Sequence, residues 1–228
     1  MQANETLYLE QTLKIHKINI SSFIDFQVWD CPDSIELDFF TTNSLVYIVD
    51  AQDDYIESLH KLIPILLNAY SQNPKISFEI FIHKVDGLSD DDKIDIQRDV
   101  FQRINDELID NEKQINLSFH QTSIYDHSIF EAFSKIVQKL ITELPALENL
   151  LNMFCSNSGI EKAFIFDLNS KIYIATDSSP VDMQSYELCS DMIDVILDMT
   201  FIYSNENPLN SIIHLDNGML LYLYTINE

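Results

Sequence analysis

The spacing of apolar positions changes along this chain, and each change marks an element. Between Phe78 and Ile82 they are nearly contiguous (Phe78, Ile80, Phe81, Ile82), which predicts a short strand covered on both faces of a parallel sheet. Leu45 to Val49 predicts a second such strand. Phe23 to Trp29 and Ile115 to Gln121 alternate less regularly but still read as strands, and Lys14 to Ile20 reads as an edge strand. Between these runs the period lengthens to three and four. Ile56, Leu59, Leu62, Ile63, Leu66 and Leu67 predict a helix over 55–70, with Pro64 expected to bend or break it. Further helices are predicted over 89–109, opened by Ser89-Asp90-Asp91-Asp92, and over 127–143, where Ile129, Phe133, Ile136, Val137 and Leu140 form one face. Strand and helix thus alternate from 23 to 143, the signature of a doubly wound α/β domain. Leu144-Pro145 marks a boundary. Beyond it come a short helix at 146–154, a hairpin from strands at 162–167 and 171–176, a helix at 184–201, and strands at 211–215 and 219–225 joined by Asp216-Asn217-Gly218. This second unit reads as α+β.

The predicted strands end in polar residues: Asp30, Asp50, the run His83-Lys84-Val85-Asp86-Gly87, and Ser123. In open α/β sheets ligands sit beyond the carboxyl ends of the strands, so these groups are expected along one sheet edge as a candidate nucleotide site. Each also suits a plainer role. Asp30 fits a helix cap or turn as well as a magnesium ligand, and His83–Gly87 fits a solvated loop turned by its glycine. The link from Asp30 to Leu45 is short for a crossover between parallel strands.

Composition narrows the chemistry. A length of 228 residues allows one or two domains. The formal net charge of -24 argues against binding nucleic acid or anionic lipid, which need a basic footprint. From Ile172 to Glu228 there is no Lys or Arg against nine Asp and Glu, and the acids Glu187, Asp191, Asp194 and Asp198 read as a solvated helix face. Only three glycines occur, where average usage would give about 16. Neither GxxxxGK[ST] nor GxGxxG is present, so no phosphate-cradling loop is legible. Three scattered cysteines and six histidines give no disulfide framework and no metal pattern. Tyr125-Asp126-His127 lacks a GxSxG elbow and reads as a turn with a helix cap. No covalent nucleophile is assigned. The N-terminus lacks a secretory pattern, and no apolar run is long enough to span a membrane.

Long segments carry a resemblance. They are Asn4–Glu10 (NETLYLE), Phe26–Asp30 (FQVWD), Tyr47–Tyr55 (YIVDAQDDY), Phe81–Asp92 (FIHKVDGLSDDD), Thr122–Lys135 (TSIYDHSIFEAFSK) and Asn157–Asp191. Together they resemble the Rag C/D (Gtr-type) family of small GTPases. The resemblance implies an incomplete Ras-like GTPase domain over 1–143 and an incomplete α+β roadblock (longin-like) dimerisation domain over 144–228. It implies GTP or GDP with Mg2+ as ligands, held weakly or not at all by a chain without the phosphate loop, and GTP hydrolysis as the family activity, with no catalytic residue assigned. It implies a Rag A/B-type GTPase as heterodimer partner, and a cytoplasmic protein held at the lysosomal surface through partners, relaying amino-acid sufficiency to the TOR kinase complex. Carried over by position, His83, Lys84 and Asp86 match the guanine motif, and Ser123 and Ile124 match the loop that meets the base. Thr12 and Asp30 match the magnesium-associated threonine and aspartate. The departures are specific. Asp33 stands at the glycine of DxxG. The second switch and its helix have no counterpart between Pro32 and Leu45. The family's first strand and phosphate loop are expected ahead of Met1, and its last strand and helix after Glu228. The alternative reading is a GTPase-like scaffold that binds no nucleotide and acts through protein contacts.

Overall fold

The computed structural model describes residues 12–21, 25–32, 37–168, 170–203 and 210–226. Its contacts divide it into two compact units, Met1–Asn19 with Gln27–Thr142, and Ile20–Phe26 with Glu143–Glu228.

The first unit is built on three parallel strands, β3 (Ser44–Asp50), β4 (Ser77–His83) and β5 (Leu117–Thr122), with β4 in the middle. The contiguous apolar run of β4 follows from burial on both faces. Phe78, Ile80 and Ile82 join the main core with Leu59, Leu62, Ile63 and Leu66 of α1 (Ile56–Gln72) and Val100, Ile104 and Leu108 of α2 (Asp90–Asp110). Phe81 faces the other way, onto Ala132 and Ile136 of α3 (Ser128–Leu140). The expected helices on both faces of a parallel sheet are therefore present. Ser89 caps α2 by accepting from the Asp92 N–H at 3.2 Å, and three acids fill its first turn, as suits the positive end of the helix dipole.

Two expectations need correction. Helix α1 runs unbroken through Pro64. The bond lost is the one to the His60 carbonyl, on an exposed residue. That loss costs about 3 kcal/mol, whereas burial of Leu62, Ile63 and Leu66 on the same helix contributes about 1.5–3 kcal/mol each. Asp30 does not lie on the edge of the parallel sheet. It ends β2 (Asp25–Asp30), which pairs with β1 (His16–Ser21) in a separate two-stranded sheet. With its backbone satisfied by a near neighbour in sequence, β2 needs no crossover, which removes the difficulty of the short link to β3. In that link Phe39 is buried in the core, and its N–H donates to Gln72 Oε1 at 2.9 Å.

The second unit has the element order read from the sequence: α4 (Leu144–Ser158), the antiparallel pair β6 (Phe164–Phe166) and β7 (Tyr173–Thr176), α5 (Met183–Tyr203), and the hairpin β8 (Ser211–His214) with β9 (Leu220–Leu223). Gly159 closes α4 in the left-handed conformation at φ 68°. Tyr173 and Tyr186 are fully buried, with Phe166 stacked on Tyr186 at 5.7 Å, and the Tyr186 hydroxyl donates to the Lys171 carbonyl at 2.9 Å. Lys171 Nζ pairs with Asp194 on the acidic face of α5. No described helix is long and apolar enough to cross a membrane.

One buried charge lies inside the central strand. Glu79 is wholly inaccessible and accepts from Ser77 Oγ at 2.5 Å, meets His120 Nε2 at 2.8 Å, and pairs with Lys139 Nζ of α3 at 2.7 Å. Burial raises its pKa, but these three partners outweigh burial and hold it at about 2. A carboxylate depressed in the fold stabilises it above the unfolded value near 4.5, and that contribution is lost as pH falls toward 2. Urea unfolding should therefore show stability falling across this acid window, with Glu79→Gln flattening the fall. Lys139→Met should destabilise at neutral pH by about 2–3 kcal/mol, because it leaves a buried charge short of its counter-ion.

Candidate functional site

Register brings three strand ends level. Asp50 pairs with His83, and His83 with Thr122, so the loops leaving β3, β4 and β5 start from one row. The His83 ring contacts buried Thr122, Nδ1 to Oγ1 at 2.9 Å. Ala51 N–H donates to the His83 carbonyl at 2.9 Å, carrying the β3–β4 ladder one residue further.

Past His83 the chain turns sharply. Lys84 takes the left-handed conformation at φ 63°, a backbone state that costs a non-glycine residue about 1–2 kcal/mol. It is held at both ends. Its Nζ pairs with the Asp50 carboxylate, and its carbonyl accepts from Gln52 Nε2 at 2.8 Å. Val85 then plugs into the core, Val85–Gly87 makes one 3-10 turn, and Leu88 N–H closes it on the Val85 carbonyl at 3.1 Å.

Asp86 is exposed, yet its carboxylate is oriented. Ser123 Oγ, on a fully buried residue, donates to Asp86 Oδ1 at 2.6 Å and accepts from the Tyr125 N–H at 3.0 Å. Ser123 N–H in turn donates to Ser128 Oγ at 2.9 Å, and Asp126 Oδ1 accepts from the Ser128 N–H at 2.9 Å at the start of α3. Tyr125-Asp126-His127 is thus a turn leading into a helix cap. Ile124 is 40% exposed beside these groups.

The electrostatics follow from these contacts. Partial burial raises the Asp50 carboxyl, but the bonds from Lys84 and the Gln52 N–H hold it below its ordinary value. Burial, helped by the Lys84 charge, lowers the His83 imidazole below 6.5 despite the facing carboxylates of Asp50, Asp86 and Asp126. His83 is accordingly a neutral ring at physiological pH, able to bond Thr122.

The structure brings together His83, Lys84, Asp86, Ser123 and Ile124 at the ends of β4 and β5. Thr12 and Asp30 meet each other: Thr12 Oγ1 donates to Asp30 Oδ2 at 2.7 Å. Asp33 lies outside the described residues, as do Asn4–Glu10 of the resemblance. Among the described residues no three His, Cys, Asp or Glu side chains cluster as a metal site. The hydroxyl and carboxylate of Thr12 and Asp30 are nonetheless hard oxygen donors of the kind magnesium takes. In this structure the two are hydrogen-bonded to each other, and they would offer a bound Mg2+ one hydroxyl and one carboxylate oxygen. Gln52 and Thr122 are the contacts that sequence reasoning did not single out. Both are polar residues at strand ends with no period of their own, and the only signal was their presence in the resembling runs Tyr47–Tyr55 and Thr122–Lys135.

Comparison with known proteins bears on what such an arrangement serves. Residues 1–193 match the model of the Gtr1/RagA G protein conserved region. The chain belongs to the Gtr1/RagA family of G proteins. It is 56% identical over 251 positions to human Ras-related GTP-binding protein C, with the whole chain and 62% of that protein covered. It is 52% identical over 250 positions to the GTP-binding protein gtr2 of Schizosaccharomyces pombe, covering 80% of it. Similarity to the Ras-related GTP-binding protein A of Dictyostelium discoideum is lower, 25% over 209 residues, with 84% of this chain and 67% of that protein covered. The chain spans less than two thirds of the length of the mammalian C- and D-type relatives. Among family members, then, the resemblance to the C/D and Gtr2 branch holds along the full chain.

Two outcomes test the geometry of the site. Ser123→Ala should destabilise by about 1–3 kcal/mol in urea unfolding, since it strips a buried hydrogen-bond hub of both partners. A histidine depressed in the fold favours stability above the unfolded value of 6.5, and that stability is lost as pH falls through the folded pKa. His83→Asn, which cannot titrate, should remove this component from a stability profile measured between pH 5 and 8.

Proposed function

We propose that this chain binds guanine nucleotide at the ends of β4 and β5 as a Rag C/D-type member of its family. The observation that carries the reading is the bond from buried Ser123 to Asp86 Oδ1 at 2.6 Å. It fixes a solvent-facing carboxylate beside the left-handed Lys84. A carboxylate so held accepts from the N1–H and 2-amino group along the guanine edge. The Lys84 stem lies along the base, His83 braces the two loops through Thr122, and the loop of Ser123 and Ile124 meets the guanine oxygen through backbone N–H, with the Ser123 N–H itself engaged by Ser128. Thr12 and Asp30 would hold Mg2+, which when bound neutralises phosphate charge. GTP hydrolysis is the activity the family implies, and no catalytic base is assigned to this chain.

In the same proposal, residues 1–143 form the nucleotide domain and residues 144–228 a roadblock-like domain that pairs with a Rag A/B-type GTPase. The heterodimer relays amino-acid sufficiency to the TOR kinase complex from the lysosomal surface, where partners hold it. The β8–β9 hairpin supports pairing. Register sets Ile212 opposite Tyr222 and His214 opposite Leu220. Ile212, Leu220, Tyr222 and Tyr224 are each about half exposed or more, so a contiguous apolar face meets solvent. The same face supports the second reading, a scaffold that works through protein contacts alone. The relatives also carry some 23 aligned positions with no residue here, the 228-residue chain being matched over 251 positions.

Equilibrium titration of the full chain with a fluorescent GDP analogue separates the readings. Tight, Mg2+-dependent, guanine-selective binding is expected, and its absence from a stably folded chain favours the scaffold. Asp86→Asn should weaken GDP by about 100-fold or more, since two charge-assisted bonds are lost. The same change should gain xanthosine diphosphate, whose C2 carbonyl accepts from the new amide. Pairing is tested independently: Leu220→Lys with Tyr222→Lys should abolish co-purification with a co-expressed Rag A-type partner while leaving GDP affinity within about twofold of the starting value.

A further inference from the structure

Lys84 is held against its backbone preference, and the β3–α1 loop supplies what holds it. The Lys84–Asp50 ion pair is more than half exposed on the lysine side and so contributes little by itself. The bond from Gln52 Nε2 to the Lys84 carbonyl, at 2.8 Å, acts on the backbone directly. Gln52 is itself anchored, its N–H donating to Asp50 Oδ1 at 2.9 Å. The amide then crosses the turn where Gly87 stands. A Cβ added at Gly87 would lie 2.8 Å from Gln52 Nε2, closer than such contacts are found. Gly87 is one of only three glycines in the chain, and here the glycine leaves room for a side chain from another loop.

We propose that Gln52 is a positioning residue for the guanine-reading loop. Its amide pins the Lys84 carbonyl from the β3 side, as Ser123 pins Asp86 from the β5 side, and between them they set the direction in which the Asp86 carboxylate is presented. Gly87 is the partner position that admits the amide. The inference rests on the guanine reading given above, but its structural half stands apart from it. Adding a methyl at 87 should push away the flexible end of Gln52 rather than break the core, so Gly87→Ala and removal of the amide should do the same thing.

The test compares the full chain with Q52A, Q52E, G87A and Q52A/G87A. Q52E keeps the shape of glutamine but, ionised, has no proton to give. Backbone hydrogen exchange over Lys84–Leu88 should speed up about fivefold in each single variant, the size of one lost hydrogen bond, and no further in the double variant. GDP affinity should fall by a similar factor. Selectivity for GDP over IDP, which lacks the 2-amino group read by Asp86, should shrink while the global unfolding midpoint holds. Unchanged loop exchange in Q52A and Q52E, or effects of Q52A and G87A that multiply in the double variant, would overturn the proposal. If the unaltered chain binds no GDP, the guanine reading falls, and the exchange pattern alone decides whether Gln52 holds the loop.

Discussion

Burial of β4 on both faces is the constraint from which the rest follows. A strand with no solvent-facing side must satisfy every polar group internally, and β4 carries two that matter. Glu79 is matched by Ser77, His120 and Lys139, which ties β5 and the end of α3 to the central strand. Four residues on, His83 meets Thr122 as the strand reaches open solvent. The same alternation that directs Phe78, Ile80 and Ile82 into the main core directs Glu79 and Phe81 toward α3. The loops that leave β4 and β5 are thus extensions of a packed, electrostatically closed layer.

That layering explains how a polar site can be rigid on an acidic, exposed rim. The loop after β4 is gripped from two directions by groups whose own positions are set by neighbouring strands. On one side, Ser123 is held by Tyr125 and Ser128 where β5 gives way to α3. On the other, Asp50 and Gln52 belong to the turn that opens α1. Val85 adds a hydrophobic pin between them. No bond in this set is strong alone, since several are part-exposed. Their effect is cooperative because each orders the donor or acceptor of the next.

What was legible along the sequence was local. The contiguous run of β4, the three-and-four spacing of α1 to α3, and the polar strand ends were all legible because period and turn chemistry are properties of neighbouring residues. Asp86 and Ser123 were legible as members of one candidate site from the strand ends they follow, and the resemblance added their roles, but the bond between them, across 37 positions, was not. Pro64 misled because its penalty is local whereas the burial that overrides it is tertiary. Asp30 was misplaced because sequence does not state strand order, and a strand can leave a sheet to pair with its neighbour. Glu79 was not singled out, because its lysine lies 60 residues away in sequence. Gln52 carried no pattern at all.

The hairpin of the second unit bears on how the protein lives in a cell. Ile212, Leu220, Tyr222 and Tyr224 form a sticky, half-wet face on a molecule whose charge otherwise keeps copies apart. While that face is uncovered it is a handle for chaperones and proteases, which sort proteins by exposed apolar surface. Covering it would remove the handle. The steady amount of this chain would then follow the supply of whatever covers the hairpin, and its own synthesis rate would set only an upper bound.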